Sequence, residues 1–547
     1  MAVPSKAAGD STPAATMSAA LRRAARRDPK GSAFVFPERK AAFTFAELDR
    51  EVDRAARGLV ALQVRPGETI AVVAPNVPEW VVLQFAAARV GALLAAVNPG
   101  LTAREAESAL RVADPALLVA GKGERGPDPL PALRALAAKS AFANLRHAIA
   151  IGEASLPGAI SWSRLLLEGD DADPAETRRR EDAVKASDAA LVLFTSGSTG
   201  EPKGVVLAHG SVTRNAADFT ALGGFGPGDR LLVQVPFFHC FGCVVSTLGS
   251  VSCGASAVVV SWFDPPFSLS VAARHKCTLI HGVPTMFSRL LEVKGREMLD
   301  LDALRAGIVG GAPAPPALMR RIAKELAVPG IAVGYGLTET SPALTANLPG
   351  APEEERFESA GRAMPGVELR VVDPKTRRDL PAGEPGLLLA RGYNVMKGYR
   401  GDAAGTAAVL DRAGWLDTGD LATMDASGLV RIRGRLKDLV IRGGENVSPA
   451  EVEAALREHP EVLDAQVVGV PHETLGEEVV AALRFRSAAR PDDAALAAFA
   501  RERLAAFKVP AFFLAFEGEF PASGSGKVRK ADVREWAVAR LARGGSG

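Results

Sequence analysis

The densest run of residues suited to chemistry is Phe194-Thr195-Ser196-Gly197-Ser198-Thr199-Gly200-Glu201-Pro202-Lys203-Gly204. Glycines admit an anion close to the backbone, and successive N–H groups form an anion-binding concavity. The hydroxyls of Thr195, Ser196, Ser198 and Thr199 add donors, and Lys203 adds a mobile positive charge. The stretch reads as a phosphate cradle. It is not a Walker A loop, which needs G-x-x-x-x-G-K-[ST]. Counted from Gly197, the place of the second glycine holds Pro202, and Gly204 follows the lysine. The plain alternative is a surface turn. The apolar run Ala189-Ala190-Leu191-Val192-Leu193 before it reads as a buried strand and argues against that.

Further candidates follow along the chain. In Val333-Gly334-Tyr335-Gly336-Leu337-Thr338-Glu339-Thr340 a carboxylate sits beside a hydroxyl. That pairing suits a hard cation bridging nucleotide phosphates, and Tyr335 suits stacking on a base. A strand-to-helix turn with a capping Thr fits the same letters. In Gly414-Trp415-Leu416-Asp417-Thr418-Gly419-Asp420 an Asp after Gly can accept both hydroxyls of a ribose, or simply form a β-turn. Gly434-Arg435-Leu436-Lys437-Asp438, Arg442-Gly443-Gly444-Glu445-Asn446 and Ser523-Gly524-Ser525-Gly526-Lys527-Val528-Arg529-Lys530 read singly as charged loops. The Cys240-x-x-Cys243 pair invites a metal or redox reading, but it lies in an apolar run with no second close pair. Buried thiols are the expectation, and four cysteines in this length fit a reducing compartment.

Taken in this order, these segments resemble the adenylate-forming superfamily of acyl-CoA synthetases, adenylation domains and firefly-type luciferases, from about Ser18 to Leu541. Medium-chain acyl-CoA synthetases are the most similar group. Phe238-His239-Cys240-Phe241-Gly242, Val283-Pro284-Thr285-Met286-Phe287, Gly310-Gly311-Ala312-Pro313-Ala314-Pro315-Pro316 and Ile441-Arg442-Gly443-Gly444-Glu445-Asn446 carry that likeness. The resemblance implies an ATP-dependent fatty acyl-CoA ligase. It would adenylate a carboxylic acid, release pyrophosphate, then pass the acyl group to CoA. An acyl-adenylate ligase loading a carrier protein and an aryl-acid CoA ligase are the alternatives. A catalytically silent binding protein would have no need of Lys527.

The resemblance also implies roles. Thr195, Ser196, Gly197, Ser198, Thr199, Gly200 and Lys203 would cradle the β- and γ-phosphates. Thr338 would contact phosphate, and Glu339 would hold Mg²⁺. Gly310, Gly311, Ala312 and Tyr335 would line the adenine site, and Asp420, helped by Arg435, would bind the ribose. Lys527 would sit between the carboxylate and the α-phosphate, an ammonium between two anions. Lys437, or Asp438 beside it, would mark the hinge of a rotating C-terminal domain, and Gly443 and Gly444 would leave room for pantetheine. His239 would border the acyl site, or else be a core histidine packed between phenylalanines. Arg289 lies where relatives using dicarboxylic acids carry a basic residue, but a helix-surface arginine is the preferred reading.

The elements that must position these groups alternate. Phe45 to Val60, Pro78 to Val90 and the amphipathic Ser18 to Arg27 read as helices. Thr69–Val73, Leu117–Val119, Ala148–Ile151, Arg230–Val235, Ala257–Val260, Leu279–Ile280 and Gly307–Val309 read as strands. Such alternation predicts a mostly parallel α/β architecture. Gly169 to Lys185, acidic then basic, reads as a solvated connection. Short strands at Glu368–Val372, Gly386–Leu389 and Leu429–Arg433 suggest a small β-barrel. The expected division is a disordered leader (1–17) and a large AMP-binding domain (18–434), followed by a hinge (435–438) and a mobile α+β domain (439–547). The large domain would hold α/β subdomains at 18–188 and 189–360 and the barrel at 361–434.

At 547 residues the chain exceeds a single core. With 65 Lys plus Arg against 63 Asp plus Glu, no basic stripe supports a nucleic-acid partner. No apolar run reaches the ~18 residues of a membrane span. Val81 to Val97 comes nearest and is broken by Gln84 and Arg89. A cytoplasmic enzyme, monomer or homodimer, acting on a small carboxylic acid with ATP, Mg²⁺ and CoA is the resulting expectation.

Overall fold

The apolar runs become neighbouring strands. The computed structural model describes residues 13–544 except 138–141, 153–155, 197–200, 443–444, 488–489, 523 and 525–526. In a first, eight-stranded sheet the fully buried Thr69–Val73 pairs in parallel with Leu93–Val97 and Pro115–Ala120. Both its faces are covered, which is why the run is continuous rather than alternating. The helix Pro78–Val90 connects two of these strands. It opens on a proline and stops at Gly91, whose φ of 72° takes the left-handed conformation that ends many helices.

A second, nine-stranded sheet runs from Arg362–Ala363 through Gly330–Gly336, Ala306–Val309 and Leu279–Gly282 to Ser32–Phe36 and Ala41–Thr44. Sheet membership does not follow chain order. Ala189–Ser196 and Pro202–Ala208 join the first sheet, whereas Ser32–Phe36 joins the second. The expected subdomain seam at 188/189 is therefore crossed in both directions. An apolar run reveals burial, not which buried strand becomes its neighbour.

The segment expected as a small barrel takes the form of a four-stranded antiparallel sheet containing Val367–Val372, Gly386–Gly392, Leu416–Met424 and Val430–Arg435. Beyond the turn Leu436–Asp438, five strands including Val462–His472, Gly476–Phe485 and Phe512–Ala515 form another sheet. It has its own core around Val452, Val467, Ala481 and Leu496.

The stretch read as a solvated connection holds a helix, Pro174–Ala183. Only Thr177 of it is buried, so no apolar stripe announced it. Ions fix it instead: Glu181 pairs with Arg22 at 3.0 Å and with Arg89 at 3.4 Å. Arg89, which interrupts the long apolar run, is fully buried and also meets Asp49 at 2.6 Å. Gln84, the other interruption, donates to the Cys243 carbonyl at 2.8 Å. Both polar residues are thus satisfied inside the core. Among the described residues no helix is long and apolar enough to cross a membrane.

Candidate active site

Two motifs 85 residues apart meet at the end of the second sheet. Gly330–Gly336 delivers Tyr335, and its hydroxyl donates to Asp420 Oδ2 at 2.6 Å. Burial along Leu416–Met424 alternates, which turns Asp420 inward. Arg435, its register partner on Val430–Arg435, donates from Nε to Asp420 Oδ1 at 3.1 Å. Burial pushes the Asp420 carboxyl upward, and the Arg435 charge opposes this. Tyr335 holds one oxygen and Arg435 the other, and each oxygen retains lone-pair capacity for a ligand hydroxyl. Tyr335, read as a base-stacking residue, is anchored at its tip. Burial and the Asp420 charge hold its phenol well above the usual range, so it stays a neutral donor.

The phosphate side is a hairpin rather than a free loop. The strand Ala189–Ser196 continues past Leu193, the chain returns in Pro202–Ala208, and Thr195 faces Lys203 in register. Gly197, Ser198, Thr199 and Gly200 lie outside the described residues, as does the side chain of Ser196. Lys203 Nζ stands 4.6 Å above the Tyr399 ring, and Tyr399 donates its hydroxyl to Glu339 Oε1 at 2.9 Å. The Glu339 carbonyl accepts from the Met396 amide at 2.9 Å. Tyr399 thus ties the candidate phosphate lysine to the candidate metal carboxylate. No spacing in the sequence signals it, because Glu339 is 60 residues away. Its only local sign is a tyrosine in Lys397-Gly398-Tyr399-Arg400.

Glu339 suits a hard cation of one kind. Its second oxygen has no partner among the described residues, where no group of three His, Cys, Asp or Glu gathers. Mg²⁺ is commonly held by one or two carboxylates together with substrate phosphates, and this half-buried carboxylate near the candidate phosphate hairpin fits that donor set.

The third side is apolar. Pro236-Phe237-Phe238-His239 leads into a π-helical turn, Phe241–Leu248, a geometry frequent at functional sites. Gly242 permits the entry, since a Cβ there would lie 2.0 Å from the Pro236 carbonyl oxygen. His239 Nδ1 accepts from the Phe241 amide at 3.2 Å, which leaves the proton on Nε2. Burial and the charge of Lys527 push this imidazole down to about 3. Cys240 Sγ lies 3.7 Å from Thr338 Oγ1, and burial pushes its thiol up to about 11. Cys240 and Cys243 are buried free thiols, and no metal cluster forms among the described residues.

Lys527 arrives on the segment between the strand Phe512–Ala515 and the helix Lys530–Gly544 and closes the arrangement. Gly311, with φ of 83°, leaves room for it: a Cβ there would sit 3.5 Å from Lys527 Cε and 3.3 Å from Val283 Cγ1. Burial lowers the Lys527 ammonium from its ordinary value; the Arg435 charge pulls the same way, while Cys240, Asp420 and Glu339 oppose. Gly310 is held close to the Gly334 carbonyl, and Ala312 follows at half burial. Lys437 lies exposed on the turn Leu436–Asp438. Gly443 and Gly444 fall outside the described residues. Arg289 does not reach into the site. On the helix Pro284–Leu291 it pairs across the surface with Glu519 of the C-terminal part.

Known proteins resemble this chain in both sequence and fold. The AMP-binding enzyme family matches residues 21–400, and the AMP-binding enzyme C-terminal domain matches residues 451–527. A putative acyl-CoA synthetase, YngI of Bacillus subtilis, is 36% identical over 531 residues, covering 95% of this chain and 96% of that protein. The medium-chain acyl-CoA ligase ACSF2, mitochondrial, of Danio rerio is 33% identical over 534 residues, covering 95% of this chain and 88% of that one. The crystal structure of ATP-bound MatB from Rhodopseudomonas palustris superposes with a TM-score of 0.83 at 30% identity, over 95% of this chain and 98% of that one. The anthranilate CoA ligase AuaEII in complex with anthranoyl-AMP gives 0.85 at 26% identity, over 96% and 98%.

Proposed function

The chain belongs to the AMP-binding enzyme family, within the adenylate-forming superfamily that includes acyl-CoA synthetases, and from that premise we propose that it is an ATP-dependent ligase joining a medium-chain fatty acid to CoA. The observation that carries this reading is Lys527, docked beside Gly311 within electrostatic reach of Asp420, Glu339 and His239. Relatives named medium-chain acyl-CoA ligases support the acyl class.

In the first step the carboxylate oxygen attacks the α-phosphorus of ATP, and the bond from that phosphorus to the bridging β-oxygen breaks. The products are acyl-adenylate and pyrophosphate. The nucleophile is already an anion, so no general base is needed. The site has to overcome repulsion between two anions, and the Lys527 ammonium between them does so. Thr195 and Lys203 hold the departing pyrophosphate, with the hairpin tip at 197–200 as the proposed remainder of the cradle. Asp420, braced by Tyr335 and Arg435, accepts the ribose hydroxyls. Glu339, oriented by Tyr399, holds Mg²⁺, which supplies charge neutralisation at the phosphates. His239 is a neutral donor at Nε2 for the carboxylate. In the second step the CoA thiolate attacks the acyl carbon and AMP leaves. For this step the C-terminal part turns about 435–438 and withdraws Lys527. Gly443 and Gly444 are the proposed passage for pantetheine.

The test is a pyrophosphate-release screen with ATP over straight-chain acids from acetate to palmitate and over aryl acids, with and without CoA. Turnover is expected to peak between hexanoate and dodecanoate and to yield the acyl-CoA. A peak on aryl acids would overturn the acyl class, and transfer to a carrier protein in place of CoA would overturn the acceptor.

A further inference from the structure

The first sheet has a second end. Its candidate phosphate hairpin lies where Ala189–Ser196 finishes; roughly 23 Å away, at seven steps of about 3.3 Å each, that strand begins at Ala189. There the structure holds a cleft of about 660 Å³. That volume lies within the range of small-molecule sites. The helix Pro174–Ala183, the turn at Pro66 and Gly67, the strand starts at Leu93 and Ala189, and the segment Lys397 to Arg400 enclose it.

Its lining is two-sided. Leu93, Val184, Ala189 and Val206 form an apolar floor. Arg179, Arg180, Lys397 and Arg400 stand around it. Arg179 and Arg180 share Glu176, and Arg180 also donates to the Val64 carbonyl at 2.6 Å. Lys397 Nζ has one carbonyl, that of Ser187, at 3.0 Å. The Arg400 guanidinium has no side-chain partner among the described residues. Asp188 on the rim is turned to the Lys185 amide. Four cations thus face two carboxylates over an apolar surface, and the two least satisfied cations are neighbours on one short segment.

We propose that this cleft binds a small amphipathic anion, with its apolar body on Leu93 and Val206 and a carboxylate or phosphate head on Lys397 and Arg400. A guanidinium with no side-chain partner among the described residues and a lysine with one carbonyl contact gain charge-assisted bonds from such a head. The same segment also faces the nucleotide side. Between Lys397 and Arg400 lies Tyr399, whose hydroxyl holds Glu339 and whose ring lies beneath Lys203. The Arg400 and Lys397 amides bond to the Gly204 and Val206 carbonyls on the phosphate hairpin. An occupant gripping Lys397 and Arg400 therefore acts on the strand that positions Tyr399, and it changes the KM for ATP. The binding itself does not rest on the proposed reaction; only this second consequence does.

The experiment titrates the full chain by calorimetry with decyl phosphate, decanoate, inorganic phosphate and decanol. At least one of the two amphipathic anions should bind more tightly than inorganic phosphate or decanol. The K397Q/R400Q variant should weaken that anion at least about tenfold. A183W, which fills the cleft mouth without changing charge, should weaken it similarly and covers the case in which the double variant does not fold. Because decanoate is also a proposed substrate of the acyl site, the head group is identified from the part of the decyl phosphate and decanoate binding that the two variants remove. Unchanged affinity in A183W, or inorganic phosphate binding as tightly as both amphipathic anions, overturns the proposal. Binding lost in both variants with an unmoved KM for ATP keeps the site and overturns the coupling. If the cleft binds as expected but no acid releases pyrophosphate, the proposed reaction fails and the cleft stands.

Discussion

The two halves of the site are built differently. The large half is held by strands and their cores: Asp420 between Tyr335 and Arg435, and Glu339 tied through Tyr399 toward Lys203. Each side chain sits on an element whose register is set by buried neighbours. The small half has its own core beyond a short turn at Leu436–Asp438, and brings Lys527 on the segment ahead of its last helix. Its flanking ion pair, Arg289 with Glu519, is 45% and 60% exposed at the two side chains. One half is anchored, and the other is docked. The proposed two-step reaction needs that asymmetry, because a group placed by weak contacts can leave.

The largest effect is expected from the docked half. Lys527→Ala should reduce pyrophosphate release by at least about 10²-fold, the scale on which one electrostatic donor to a transition state is felt. ATP binding should change little, and so should thioester formation from supplied acyl-adenylate. Pyrophosphate release at the wild-type rate would remove Lys527 from the chemistry. Next in size is Tyr399→Phe in the anchored half. It deletes the hydroxyl that orients Glu339, which should raise the KM for Mg·ATP about tenfold while barely touching the acid's KM. Equal changes in both constants would mean that Tyr399 does not act through the metal carboxylate.

The pH profile compares the halves in a third way. Lys527 must be protonated to lie between two anions, and burial lowers its proton affinity. The value of kcat/KM for ATP reports the free enzyme. It should hold at neutral pH and fall as pH rises through a point below that of an ordinary lysine. In kcat the fall should come later, since bound phosphates favour the charged form. His239, already neutral above about 3, should add no acid limb near neutrality. A profile flat to the ordinary lysine range would show that Lys527 is not desolvated in the free enzyme.

What could be read from the sequence follows the same division. The anchored half was legible as candidates: Thr195, Lys203, Glu339 and Asp420 lie in short segments whose residue types suit phosphate, metal or sugar chemistry, whereas Arg435 lies in what reads singly as a charged loop and takes its role from the resemblance. Buried strands were legible from continuous apolar runs. Pairings across the fold were not. Tyr399 finds Glu339, and Arg89 finds Asp49, only after the sheets and helices pack. The helix Pro174–Ala183 was missed because Glu181, not an apolar stripe, secures it. Arg289 was read as either a substrate-facing cation or a surface one, and its partner Glu519 lies 230 residues away.

That pair offers the finest comparison. An ion pair this exposed is worth about 0–1 kcal/mol, so Glu519→Gln should change neither folding nor ATP affinity measurably. Its effect should fall on the docked state alone. Losing the pair favours undocking, which should slow pyrophosphate release by up to about fivefold and leave thioester formation from acyl-adenylate equal or slightly faster. Added salt should reduce the wild type toward the variant, since screening acts on exposed charges. The reversed pair, Arg289→Glu with Glu519→Arg, should recover most of the loss, because it restores the attraction with its sign exchanged. A swap no better than either single charge reversal would show that the two side chains are merely neighbours on the surface. The docked half would then owe nothing to that pair.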